Sequence, residues 1–194
     1  MRRAILFLTA LLAGCATVQP PAAPAVDWED RLASAGGLTD WRMTGRVAVA
    51  VAGDGGSAGV DWRQAGASSD VAFTGPLGVG SLRAVLDDQG LLLEDGTGER
   101  LRGAAAEAVL YARLGMVVPF DHLRYWLLGT PAPGEPYRAA GTVADGMAGF
   151  VQAGWTVGIA RLEPVAGASL PMRLAIWRDD ARLKLVVSRW DLVP

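Results

Sequence analysis

From Val47 onward the apolar residues of this chain tend to recur at every second position, and the pattern breaks repeatedly at glycine or a polar turn. That period restricts the body of the protein to antiparallel β-structure. Val47, Val49 and Val51 alternate with small residues, and Val60 and Trp62 alternate with Gly59, Asp61 and Arg63. Between them Gly53-Asp54-Gly55-Gly56-Ser57 supplies residues that tolerate positive φ, so the two strands are expected to form a hairpin around that turn. Further strands read at Asp70–Thr74, Gly80–Asp87, Leu91–Glu94 and Glu99–Arg102, then at Gly146–Gln152, Trp155–Glu163, Pro171–Arg178 and Ala181–Leu192.

Three segments switch to helical spacing. Asp27–Ala35 places Trp28, Leu32 and Ala35 on one stripe and stops at Gly36-Gly37. Ala104–Leu114 is rich in helix formers and ends at Gly115, and Phe120–Leu128 sets Leu123, Trp126 and Leu127 on one face with Asp121 as the expected cap. A Pro/Gly-rich loop, Gly129–Pro136, follows. The expectation is a mainly β domain over residues 26–194 with inserted helices. Its single antiparallel sheet of about ten or eleven strands would curl into an open, incomplete β-barrel plugged by the short helices.

The start of the chain reads as an address. Met1-Arg2-Arg3 precedes a ten-residue uncharged run, Ala4–Ala13, that closes on Gly14-Cys15, as in a secretory signal peptide over residues 1–14. A membrane-crossing helix needs about 20 apolar residues, roughly twice this run. Leu12-Ala13-Gly14-Cys15 resembles the bacterial lipobox, which implies lipid on the Cys15 sulfur and loss of the preceding residues. Residues 15–25 then form a Pro/Ala-rich linker, with an extended reach of roughly 30 Å from the bilayer. Ala16 follows the cysteine where an aspartate would mark inner-membrane retention, so by that resemblance the protein is expected on the periplasmic face of the outer membrane.

Composition removes several chemistries. Lys+Arg of 18 against Asp+Glu of 20 gives a formal charge of -2, which leaves no basic field for nucleic acid. One cysteine and one histidine, His122, exclude a disulfide framework and a multi-histidine metal centre. A Ser-His-Asp or Cys-His arrangement would have to use His122, which sits beside Asp121 on a helix and reads as a surface or capping residue. The pairs Asp87-Asp88 and Asp179-Asp180 fall at hairpin turns, where aspartate is favoured locally. The chain is expected to be no enzyme and to need no cofactor.

One local feature breaks the pattern. Gly75-Pro76-Leu77-Gly78 places a leucine where turn chemistry favours a polar residue, and such a side chain either folds back onto the core or contacts lipid.

Several stretches in order resemble the LolB family, the outer-membrane lipoprotein receptors of the lipoprotein localisation pathway. They are the lipobox at Cys15, Gly45-Arg46, Trp62-Arg63-Gln64, the Gly75-Pro76-Leu77-Gly78 turn, Leu114-Gly115 before Pro119, Leu123 with Trp126-Leu127-Leu128-Gly129, Gln152 with Gly154-Trp155, Leu170-Pro171, and Leu183-Lys184-Leu185 with Trp190. The resemblance implies an open half-barrel shared with the periplasmic chaperone LolA. It also implies a receptor that accepts the acyl chains of cargo lipoproteins from that chaperone and releases them into outer-membrane lipid. It maps membrane insertion onto the loop Pro76, Leu77 and Gly78. An Ala/Gly-enriched sheet and a glycine-rich first hairpin are departures that bear on cavity size.

The task fits a site without catalytic residues. Exposing three acyl chains, roughly 45 methylenes, would cost on the order of 35 kcal/mol at ~0.8 kcal/mol each, so the chains must stay covered during transfer. Val49, Trp62, Phe73, Leu82, Phe150, Ile159 and Leu174 are the expected cavity lining. Two other readings remain. A lipid-anchored scaffold or assembly lipoprotein that binds a protein partner along a sheet edge should have a filled interior. An enzyme of envelope polymers should have a polar cleft with paired carboxylates.

Overall fold

The computed structural model describes residues 26–75 and 80–192. A short helix α1 (Trp28–Ser34) opens the domain, capped by Asp27, whose Oδ1 accepts the N–H groups of Glu29 and Asp30 at 3.0 and 3.2 Å. Six strands follow: β1 (Asp40–Val51), β2 (Asp54–Ala65), β3 (Ser68–Thr74), β4 (Ser81–Asp87), β5 (Gly90–Asp95) and β6 (Arg100–Arg102). Helices α2 (Ala104–Leu114) and α3 (Phe120–Trp126) lead to β7 (Tyr137–Ala140), β8 (Ala148–Gln152), β9 (Trp155–Val165), β10 (Ala168–Arg178) and β11 (Ala181–Leu192), with a 3-10 turn at Ala144–Gly146. The expected mainly β domain with inserted helices is what forms. All eleven strands make one antiparallel sheet, in the order β6-β5-β4-β3-β2-β1-β11-β10-β9-β8-β7.

That order explains the shape. The first and last strands pair in the middle, so two meanders diverge from a common centre and end at edge strands β6 and β7, which do not pair with each other. The chain must cross from one edge to the other between them. The crossing segment carries α2 and α3, and α2 packs on β6, β5 and β1. The barrel is open, and the helices lie over its concave side.

The inner face follows the period of two. Trp41, Met43 and Val47 on β1 oppose Gln64, Trp62 and Ala58 on β2, and Leu185 on β11 opposes Val47 and Leu174. Trp190, Trp41, Trp62 and Phe120 form a ladder of rings with centroids 5.3, 6.0 and 6.3 Å apart. One irregularity, between Thr44 and Gly45 in the β1–β11 pairing, shifts the register where the two meanders join.

Three local expectations are corrected. The first hairpin turns at Ala52-Gly53, because Val51 pairs with Asp54 and both turn residues have positive φ, +51° and +90°. Gly55, Gly56 and Ser57 are strand residues, not turn. Helix α3 is preceded by Pro119, with Asp121 in its first turn and no side-chain cap. The strand β7, absent from the sequence reading, pairs with β8 from Tyr137↔Gln152 to Ala140↔Gly149.

Candidate functional site

A cavity of about 880 Å³ lies on the concave face, towards the end of the sheet where the first hairpin turns. Val49, Val51 and Ala58 form one wall, Phe73 and Leu82 continue it across β3 and β4, and Leu183 extends it onto β11. Leu114, Met116, Val118 and Phe120, from the end of α2 to the start of α3, form the facing wall. The charged side chains at its boundary, Asp54 and Arg113, are both exposed. Charge is thus confined to the rim.

The floor includes three indoles, Trp62, Trp126 and Trp155, and the N–H groups of the first two are engaged by buried glutamines. Trp62 Nε1 donates to Gln64 Oε1 at 3.1 Å, and Gln64 is held in turn by Ser69 Oγ at 2.7 Å and by its own bond to the Gly66 carbonyl. Trp126 Nε1 donates to Gln152 Oε1 at 2.8 Å, and the rings of Trp126 and Trp155 lie 6.3 Å apart. With the donor of each of the first two indoles already satisfied, Trp62 and Trp126 present apolar ring surface to the cavity. Gln152 also accepts from Ala132 N–H and donates to the Ala132 and Glu135 carbonyls, so one buried side chain fixes the loop after α3.

The seven expected lining residues separate into two groups. Val49, Trp62, Phe73 and Leu82 border the cavity. Phe150, Ile159 and Leu174 share the concave face but are almost wholly buried and do not border it. Helix α1 and the segment after α3 cover them: the Trp28 ring stands edge-on to Phe150 at 5.5 Å, and Gly129 sits against Ile159. Arg31 clamps this cover. Its guanidinium donates to the carbonyls of Gly129 at 2.7 Å, Ser169 at 2.8 Å and Leu128. Among the described residues no carboxylate pairs with Arg31, and burial lowers its pKa to about 10. Sequence reasoning passed over Leu183, Ala58 and the connector residues Met116 and Val118, although the apolar run Met116-Val117-Val118 between Gly115 and Pro119 was a signal.

Cys15 and the loop residues Pro76, Leu77 and Gly78 lie outside the described residues. The loop's base is described: Gly75 N–H donates to the Gly80 carbonyl at 2.9 Å. The His122 ring lies tilted against that of Trp126 with centroids 5.2 Å apart, and its Nε2 is 3.0 Å from Glu135 Oε2. Among the described residues no group of three side chains could hold a metal, and no helix is long and apolar enough to cross a membrane. An apolar cavity of this kind can cover hydrocarbon without directional bonds.

A family model described as outer membrane lipoprotein LolB matches residues 39–190. The outer-membrane lipoprotein LolB of Alkalilimnicola ehrlichii is 34% identical over 200 residues, 100% of this chain and of that one. That of Nitrosococcus oceani is 30% identical over 192 residues, 97% of this chain and 96% of the other. Among solved structures, a LolA-superfamily protein from Nitrosomonas europaea matches with a TM-score of 0.51 at 13% identity, covering 88% of this chain and 95% of that one. A DUF1329-family protein from Desulfovibrio piger gives 0.54 at 9% identity, with 86% and 90% covered. These two likenesses concern the fold alone.

Proposed function

The chain belongs to the LolB family of outer-membrane lipoproteins, and from that membership we propose that it takes the acyl chains of cargo lipoproteins into its cavity and passes them to the outer membrane. The family is one of lipoprotein receptors, so the role is localisation of lipoproteins at the outer membrane and not catalysis. The observation that carries the finer reading is the cavity of about 880 Å³, walled by aliphatic and aromatic side chains with charge only at its rim. Acyl chains bind such a surface without directional bonds, because burial of apolar area is the driving force. A scaffold reading predicts a filled interior instead.

At roughly 30 Å³ per carbon-sized unit, the share a water takes in its liquid, the cavity accommodates on the order of thirty methylenes. That is about two chains of ordinary length, with a third left at the mouth. The donor is a periplasmic chaperone of the LolA type; the likeness in fold supports two open half-barrels exchanging one cargo. Direction needs no nucleotide, since each tenfold preference of the acceptor corresponds to about 1.4 kcal/mol. In this reading residues 1–14 are removed, Cys15 carries lipid, residues 15–25 tether the domain, and Leu77 enters the bilayer.

The test reconstitutes the full-length protein into liposomes and adds chaperone loaded with radiolabelled lipoprotein. Label should move into the liposome fraction only when the protein is present. Label that stays with the chaperone overturns the reading.

A further inference from the structure

The convex face carries a row of side chains that the cavity does not use. Where β1, β11, β10 and β9 lie side by side, Arg46 is in register with Val186, Val186 with Arg173, and Arg173 with Arg161. In-register neighbours of a regular ladder share a face, with Cβ atoms about 5 Å apart, as Arg46, Val186 and Arg173 do; the Arg173–Arg161 pair falls between two register shifts of β10 against β9. Lys184, two residues before Val186, points the same way and stands between Ala48 and Ala175, whose single methyl groups leave it clear. Arg46, Arg173, Lys184 and Val186 are all exposed, Val186 to 46%.

Elsewhere on the sheet five arginines have acids, Arg42 with Asp61, Arg83 with Asp70, Arg100 with Glu94, Arg102 with Asp87 and Arg189 with Asp191, while Arg63, Arg138 and Arg178 make no ion pair among the described residues. In this row Arg161 pairs with Glu163, but Arg46, Arg173 and Lys184 have no ion pair among the described residues. Like charges directly opposite one another destabilise a sheet. The chain, with a net charge of -2, nevertheless concentrates unmatched cations around one exposed valine.

We propose that this convex patch is a docking surface for a bilayer containing anionic lipid. Arg46, Arg173 and Lys184 take lipid phosphates, and Val186 rests at the head-group level. Charge complementarity sets the sign of the partner. Shape favours a membrane over a peptide, since the cations rise from the outside of a continuous sheet, and family membership puts the chain at a membrane surface. The contact uses the convex face alone. It does not depend on the acyl-chain reading, because it concerns the opposite face.

The test uses the full-length chain with Val186→Cys carrying a bimane fluorophore, reconstituted into phosphatidylcholine vesicles with brominated tails, with or without phosphatidylglycerol. The unsubstituted chain, treated with the same reagent, gives the background from Cys15. Quenching should appear with phosphatidylglycerol and be relieved by high salt. Each cation near an anionic surface is worth roughly a fivefold preference, so Arg46→Glu, Arg173→Glu and Lys184→Glu together should lower the ratio of docked to undocked protein by at least about 100-fold. The milder set Arg46→Gln, Arg173→Gln and Lys184→Gln, checked for an unchanged melting temperature, guards against a folding defect. Equal quenching in both vesicles, quenching that survives charge reversal, or quenching that appears only when an acidic protein is added overturns the proposal.

Discussion

Phe73 and Leu82 face each other across β3 and β4, one pair before the strands end, and both border the cavity. The Gly75–Gly80 hydrogen bond closes the base of the loop just beyond them. In the proposed function, an acyl chain leaving the cavity along this wall arrives at the base of the loop that carries Leu77. Leu77→Glu should leave transfer from the chaperone to the protein intact while blocking onward movement into liposomes, because a charge at a membrane-contacting tip is costly to desolvate. A two-step assay that follows radiolabel separates the stages. Equal delivery into liposomes by the substituted and native proteins would count against this role for the loop.

The concave face predicts two classes of substitution. Val49→Arg places a charge in the open half and should reduce binding of a fluorescent fatty acid at least tenfold, with little change in melting temperature because Val49 is only partly buried. Leu174→Ala in the closed half should cost about 2–5 kcal/mol of stability, by denaturant unfolding, and leave fatty-acid affinity unchanged at temperatures where the protein stays folded. A loss of affinity with Leu174→Ala would mean that the cover over the closed half opens to admit lipid.

Why the sequence distinguished the face but not the halves follows from what a period of two encodes. Alternation at Val47, Val49 and Val51 says which side of a strand is apolar; it is silent on what lies above. The cover over Phe150, Ile159 and Leu174 is placed by Arg31, whose partner Gly129 is 98 residues away. Helix α2 was legible because its composition and its terminal Gly115 agree. The strand β7 was not: it has four residues, follows a Pro/Gly-rich loop, and lies at an edge with an exposed pattern, so alternation has no core side to report. The glycine run after Ala52 suggested a long turn, yet a Cβ on Gly55 would come within 2.4 Å of the Val49 carbonyl oxygen. There glycine serves the close approach of paired strands.

Arg31 and Gly129 should behave as one unit. Arg31→Met strands the carbonyls of Leu128, Gly129 and Ser169, which costs about 1–3 kcal/mol for each group left unsatisfied. Gly129→Ala acts on the same contact: its φ is +72°, and the added Cβ would lie 2.5 Å from Arg31 Nη2 and 2.9 Å from Ile159 Cδ1. The double mutant, measured by chemical denaturation, should lose less than the sum of the two single losses by about 0.5–3 kcal/mol. Strict additivity would show that the clamp is not a single interaction.

The acid limb of stability should report the outer-face pairs. The Arg83 guanidinium grips Asp70 with bonds of 2.8 and 2.6 Å and holds its carboxyl below the usual range, and Arg42 does the same to Asp61. Carboxylates with a depressed folded pKa contribute stability that is present above the ordinary value near 4 and lost as pH falls through the folded value. Both pairs are more than a third exposed, so solvent screening keeps the contribution of each small. Asp70→Asn should lower the melting temperature slightly at pH 7 and flatten its decline in acid. An unchanged acid slope would show that the pair contributes nothing.

Capacity gives the most direct check on the cavity. Space for on the order of thirty carbon-sized units corresponds to about two sixteen-carbon chains, so titration with a single-chain fluorescent fatty acid should saturate near two per protein. Ala58, a small residue in the wall beside the first turn, is where volume can be removed with least disturbance to the core, since it is only partly buried. Ala58→Trp should bring the stoichiometry to about one and slow transfer of a triacylated lipoprotein more than that of a single-chain probe. If saturation instead stays at two after Ala58→Trp, the chains occupy a space other than the cavity between the first hairpin and the α2–α3 connector.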